Sequence, residues 1–212
     1  MKVATPRRSG WNSATIASVE PKLEYVLLKP SRLSAATPIT PGHLAGRTEV
    51  ARLYEHHGAE DEAYRHLSEA VRLCPDQAEP LVARGAFLAR LKRHPEAEAD
   101  LHRALRLAPD DADAHFELGF ALWRKGVALE AAEHLRRAAE LAPGRADAEH
   151  YLGESLHQLG DDLGALAALE RAAALDPGNA KSFQLMGRVL DRLGRPEEAR
   201  EMYRQARESA PR

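Results

Sequence analysis

Apolar residues recur along this chain at two superposed intervals. The shorter one is helical. In FELGFALW, residues 116–123, Leu118, Gly119 and Leu122 share one face. Phe116, Phe120 and Trp123 fall within an arc of roughly 60° on another, at about 100° per residue. One set can face a core, and the other needs a second surface to meet. The longer interval is 34 residues, the spacing of Pro75, Pro109, Pro143, Pro177 and Pro211. In phase with the prolines run Ala63, Ala97, Ala131, Ala165 and Ala199, then Ala70, Ala104, Ala138, Ala172 and Ala206, then Gly85, Gly119, Gly153 and Gly187. Two larger apolar series, Tyr54 to Leu190 and Leu67 to Tyr203, keep the same step. Chance does not align this many registers, so the chain is a repeat array.

Each period predicts a helical hairpin. In the third, a first helix (A) is expected over 112–125, a break near Gly126, and a second helix (B) from about Leu129 to Leu141, stopped by Ala142-Pro143. Gly119, Ala131 and Ala138 are expected where helices cross closely, with Leu122, Leu135 and Leu141 filling the volume between them. A lone hairpin leaves one apolar face uncovered, and stacking hairpins in a row covers it. The fold class is therefore an all-α solenoid of five hairpins, 44–77, 78–111, 112–145, 146–179 and 180–212, after a mostly unstructured tail at 1–43.

The pattern resembles the tetratricopeptide repeat. The pairs Leu118-Gly119 and Leu152-Gly153, the Ala, Leu and Ala series of each B helix and the closing prolines carry the resemblance, which spans residues 44–212, about four fifths of the chain. Repeat 1 departs from it, with Ala51 in place of the glycine. The resemblance implies a right-handed superhelix whose A helices line a concave groove for peptides or proteins, with no catalysis. The groove residues it implies are Val82, Ala86 and Arg90 in repeat 2, Asp113, Phe116, Phe120, Trp123 and Arg124 in repeat 3, Asp147, His150, Glu154 and His157 in repeat 4, and Arg188 in repeat 5. The aromatic stripe then has two readings. The three rings pack against neighbouring A helices, or they anchor a ligand over an apolar trough floored by Val82, Ala86 and Ala89. A subclass of the family clamps a C-terminal carboxylate with Lys and Asn, and here the corresponding places hold Thr48, Arg52, Glu55 and His56, so that activity is not expected.

Charge narrows the partner. The net charge is −2. Residues 1–43 carry six Lys/Arg against two Asp/Glu, and residues 44–212 carry 24 against 30. An acidic body argues against nucleic acid, which needs a basic surface. Repeat 4 holds seven acidic side chains and, as a base, only Arg171. A fitting peptide would bring apolar or aromatic anchors to repeat 3 and basic residues to repeat 4. Asp161 and Asp162, in a turn, are expected to form a solvated face instead.

Chemistry other than binding finds little support. No phosphate loop, GxSxG elbow or HExxH motif occurs. DDADAH, Asp110 to His115, opens a helix, where acidic residues satisfy free amides. His150 and His157 lie about 10 Å apart along a helix, too far to chelate one ion. Cys74, the single cysteine, reads as a small space-filling residue, and neither a cofactor nor a metal is expected. Without an apolar run of signal-peptide or membrane-span length, a soluble cytoplasmic protein is expected.

The function expected is a non-enzymatic adaptor, and the alternative is a regulatory or specificity subunit of an enzyme on a separate chain. Repeat 5 replaces the apolar outer face of earlier B helices with Arg207 and Ser209, as a terminal repeat would, so Arg212 reads as the chain end. Self-association stays open, either through Met202 and Tyr203 of the last repeat or through the tail. The tail holds KLEYVLLK, residues 22–29, an apolar run between lysines that the groove would accept.

Overall fold

The computed structural model describes residues 44–209, and the expectations for the tail, for KLEYVLLK and for Arg212 lie outside the described residues. Ten α-helices and no strand occur among the described residues: α1 Leu44–His56, α2 Glu60–Leu73, α3 Ala78–Arg90, α4 His94–Leu107, α5 Ala112–Lys125, α6 Ala128–Leu141, α7 Ala146–Leu159, α8 Asp162–Leu175, α9 Ala180–Arg192 and α10 Pro196–Glu208. They alternate as the A and B helices of five hairpins, so the all-α repeat architecture read from the 34-residue period holds. The described residues divide into two compact units, with the boundary between Arg84 and Gly85, inside α3.

In the first unit α1 packs on α2. Val50, Ala51 and Tyr54 of α1 are buried, as are Ala63, Leu67 and Ala70 of α2. Ala51, where later repeats have glycine, is only 2% exposed, so repeat 1 closes its helix pair around a methyl group. Tyr54 stacks on His66 with ring centroids 5.4 Å apart.

In the second unit the recurring spacing of small residues has a direct cause. A Cβ on Gly119 would sit 2.7 Å from Cγ of Leu135 and 3.2 Å from the carbonyl oxygen of Ala131. Glycine therefore lets α5 and α6 close to contact distance, and Leu118, Ala121, Ala131, Leu135 and Ala138 are fully buried around the crossing. Repeat 5 keeps this device with a different partner. Its Tyr203 ring lies under Gly187, where an added Cβ would come within 2.5 Å, and the Tyr203 hydroxyl donates to Asp191 at 2.8 Å.

The turn between the A and B helices also repeats. Gly126 and Gly160 sit at φ 85° and Gly194 at φ 72°, the left-handed region that ends a helix, and Lys92 takes the same place in repeat 2 at φ 62°. The expectation for Leu141 needs correction. Leu141 is half-buried, and its equivalents Leu107 and Leu175 are each 42% exposed, so this register lies at the edge of the helix pair and not between the helices. At the corresponding place Ser209 donates to the carbonyl of Pro177 at 3.3 Å.

Candidate functional site

The site is built on α5 and α7, successive A helices of the second unit. Their N-termini are fixed differently. Asp111 caps α5 by accepting from the Ala114 amide at 3.0 Å, so DDADAH serves as a helix start. Arg145, just before α7, ion-pairs with Asp113 and with Asp147 (3.2 Å) and lays its guanidinium 4.0 Å from the centroid of the Phe116 ring.

From this anchor the aromatic stripe runs along α5. Phe116 and Phe120 stack with centroids 6.1 Å apart, and Phe120 stacks on Trp123 at 5.5 Å. Tyr151 of α7 closes the group, 4.8 Å from both Phe120 and Trp123 and 6.3 Å from Phe116. Sequence reasoning missed Tyr151 and Arg145. The signal for Tyr151 was its place one helix over from the stripe, on the A helix that the repeat stacks next to α5.

The two readings of the stripe divide between its members. Phe116 is 7% exposed and covered by Arg145 and Tyr151, so it packs. Phe120, Trp123 and Tyr151 are half-buried and present ring surface to solvent. Trp123 adds an unsatisfied group, since its Nε1 is buried with no hydrogen-bond partner. Burial holds the Tyr151 hydroxyl above the usual tyrosine range, with Glu154 and Asp147 adding to the effect.

The other groove residues separate in the same way. Ala86 and Ala89 are buried, which leaves no open trough floor there, and Val82, in the first unit, is also buried. Arg90 is exposed. Arg124 is committed within the protein: it donates to the Ala89 carbonyl at 3.2 Å and stands 5.8 Å over the Phe120 ring. The same carbonyl, in the last turn of α3, also accepts from the Lys92 amide at 3.0 Å. Arg192 repeats the contact two periods on, donating to the His157 carbonyl at 2.6 Å.

His150 is buried with Nδ1 2.9 Å from the Ser182 hydroxyl, and burial together with Lys181 holds its pKa below the ordinary value. It borders a shallow cleft of ≈ 320 Å³ lined by Asp147, Tyr151, Asn179 and Lys181. His157 pairs with Asp162 at 2.9 Å. Glu154 is half-buried, and desolvation raises its pKa against the pull of Arg188, His157 and Lys181. Arg188 is exposed.

Part of the acidic character of repeat 4 is met by arginines of the protein itself. Glu149 takes a two-pronged bond from Arg171 at 2.7 and 2.9 Å, and Asp162 is held by Arg192 and His157. Asp162 is thus not part of a solvated face, whereas Asp161 is exposed and caps α8 through the Gly164 amide at 2.9 Å. Among the described residues no group of three or more His, Cys, Asp or Glu is placed to hold a metal ion, and no helix is long and apolar enough to cross a membrane.

Comparison with known proteins agrees with the architecture. A family model described as "Tetratricopeptide repeat" matches residues 144–212, and one described as "TPR repeat" matches residues 88–126. Among solved structures, MamA 41-end from Desulfovibrio magneticus RS-1 is 25% identical, with a TM-score of 0.70 over 78% of this chain and 94% of that one. YrrB, described as a TPR protein with an unusual peptide-binding site, is 24% identical, with a TM-score of 0.65 over 80% of this chain and 88% of its own. PilF from Pseudomonas aeruginosa is 19% identical, with a TM-score of 0.73 over 80% and 77%. The likeness to YrrB and PilF is one of fold. No curated protein matches the sequence.

Proposed function

The chain belongs to the tetratricopeptide repeat family, and from that premise we propose that it is a non-enzymatic scaffold that holds a partner peptide or protein against the A helices of its second unit. The observation that carries the reading is the half-open cluster of Phe120, Trp123 and Tyr151. Contiguous aromatic surface beside a rigid helix pair is how binding hot spots are built. The buried Trp123 N–H without an acceptor costs the free protein about 1–3 kcal/mol. A modest shift of the ring toward a ligand carbonyl would recover that cost. The peptide-binding site named for YrrB, a protein of the same fold, fits this role.

The ligand that suits the surface offers an apolar or aromatic side chain to the cluster. A basic residue fits beside it, because Arg145 brings one positive charge to two carboxylates, Asp113 and Asp147, and leaves that edge negative. Both carboxylates remain well exposed, at 70% and 50% of their side-chain surface.

The test is a pull-down from native lysate with the intact chain and with Phe120→Ala, matched for fold by circular dichroism. Partners that bind this face are captured by the first and lost with the second. Partners captured equally by both would place binding elsewhere and end this reading.

A further inference from the structure

Two histidines of repeat 3 face each other outside the aromatic cluster. His115 of α5 and His134 of α6 bring their Nδ1 atoms to 3.0 Å, and the Nε2 of His115 lies 3.0 Å from the Pro109 carbonyl oxygen. A carbonyl can only accept, so His115 carries its proton on Nε2 and turns a bare Nδ1 lone pair toward His134. His134 must then donate from its own Nδ1. Protonating both rings at once would set two N–H donors against each other. In agreement, burial, with the neighbouring His115 and His102, pushes the His134 pKa down to about 4.

We propose that this pair is a bidentate site for a borderline divalent transition ion, Zn²⁺, Ni²⁺ or Cu²⁺, which takes the place of the shared proton. The dimensions allow it. With metal–nitrogen bonds of about 2.0–2.1 Å, a tetrahedral ion sets two nitrogens about 3.3 Å apart and a square-planar ion sets them about 2.9 Å apart. The pair stands at 3.0 Å, between these values. The ring centroids are 5.2 Å apart, and a tetrahedral ion between two imidazoles would hold them at about 5.2 Å. Binding therefore asks the rings to pivot about their centres without moving α5 against α6. The Pro109 carbonyl already makes the outer contact that orients a ligating imidazole. Two protein ligands are one fewer than the set of a catalytic zinc, so water fills the remaining positions. The ion would clasp the two helices of the hairpin that presents Phe120 and Trp123.

The test is calorimetric titration of the full chain with ZnCl₂, and separately NiCl₂, at pH 7.5, repeated on His115→Ala, His134→Ala and a His56→Ala/His57→Ala control. One ion per chain is expected, with affinity lowered at least tenfold by either of the first two substitutions and unchanged in the control. The melting temperature of the unsubstituted chain should also rise with ion concentration. In case the alanine variants lose their fold, ¹⁵N imidazole resonances of the unsubstituted chain give a second reading, with both Nδ1 signals expected to shift on adding Zn²⁺. Absence of stoichiometric binding, affinity indifferent to His115 and His134, or Nδ1 signals that stay in place would each overturn the proposal, the last two by assigning any bound ion to other histidines.

Discussion

The rings of Tyr151 and Trp123 stand 4.8 Å apart, centroid to centroid, at an interplanar angle of 49°, across the seam between α5 and α7. This tilted contact joins two repeats through aromatic surface that remains partly open. A double-mutant cycle of Trp123→Phe and Tyr151→Leu should show a coupling of about 0.5–1.5 kcal/mol in urea unfolding. Strict additivity would mean that the two rings are neighbours without energetic contact.

Phe116 and Phe120 are one turn apart and predict different phenotypes. Phe116→Ala empties a covered position and should cost about 3–5 kcal/mol of stability. Phe120→Ala should cost less than half as much, because its ring already meets solvent, and should show its larger effect in partner affinity. Thermal melts of the two variants side by side check the order.

Lys92 holds a left-handed conformation at φ 62° where Gly58, Gly126, Gly160 and Gly194 occupy the equivalent turns. A side chain there carries a penalty of roughly 1–2 kcal/mol, part of which glycine gives back through its looser unfolded chain. Lys92→Gly is expected to stabilise by about 0.5–1 kcal/mol, and Gly126→Ala to destabilise by about the same amount, both measured by denaturant midpoint at constant slope.

His134 sets a pH dependence of definite sign. Its folded pKa is lowered from 6.5 to about 4, so its contribution is complete above pH 6.5 and is lost as pH falls toward 4. Between those values the unsubstituted chain should lose about 1 kcal/mol more stability than His134→Gln, after discounting for the ring's solvent exposure. Parallel unfolding curves at pH 7 and pH 4.5 measure the difference.

Much of the fold is legible in the 34-residue phase, for local physical reasons. Gly119 must be small because Leu135 lies under it, and that pairing recurs at Gly85 with Leu101 and at Gly153 with Leu169, 16 residues apart each time. Such contacts are written into the repeat itself. The site was less legible because its deciding contacts break the repeat. Arg145 reaches back from a loop to cover Phe116, where no periodic register announces it, and Tyr151 leans across from the next A helix, legible only once α7 is stacked beside α5. Charge counting misled for a related reason. Repeat 4 is acidic in composition, yet Arg145 and Arg192 from outside its bounds pair with Asp147 and Asp162. The left-handed Lys92 was hidden because lysine carries no turn signal of its own.

The central claim is that the exposed aromatic surface of α5 and α7 is where a polypeptide partner binds. It is tested most directly by selecting peptides on the full chain from an unbiased display library and measuring the affinity of the enriched ones for three proteins: the parent, Trp123→Ala and Tyr151→Ala. Trp123 emission in a Trp11→Phe background gives a second signal of binding at this place. The account predicts enrichment of peptides with an apolar or aromatic anchor, a shift in Trp123 emission on binding, and at least a tenfold loss of affinity in each variant at unchanged helicity. Selected peptides that bind all three proteins equally, with Trp123 emission unmoved, would contradict it.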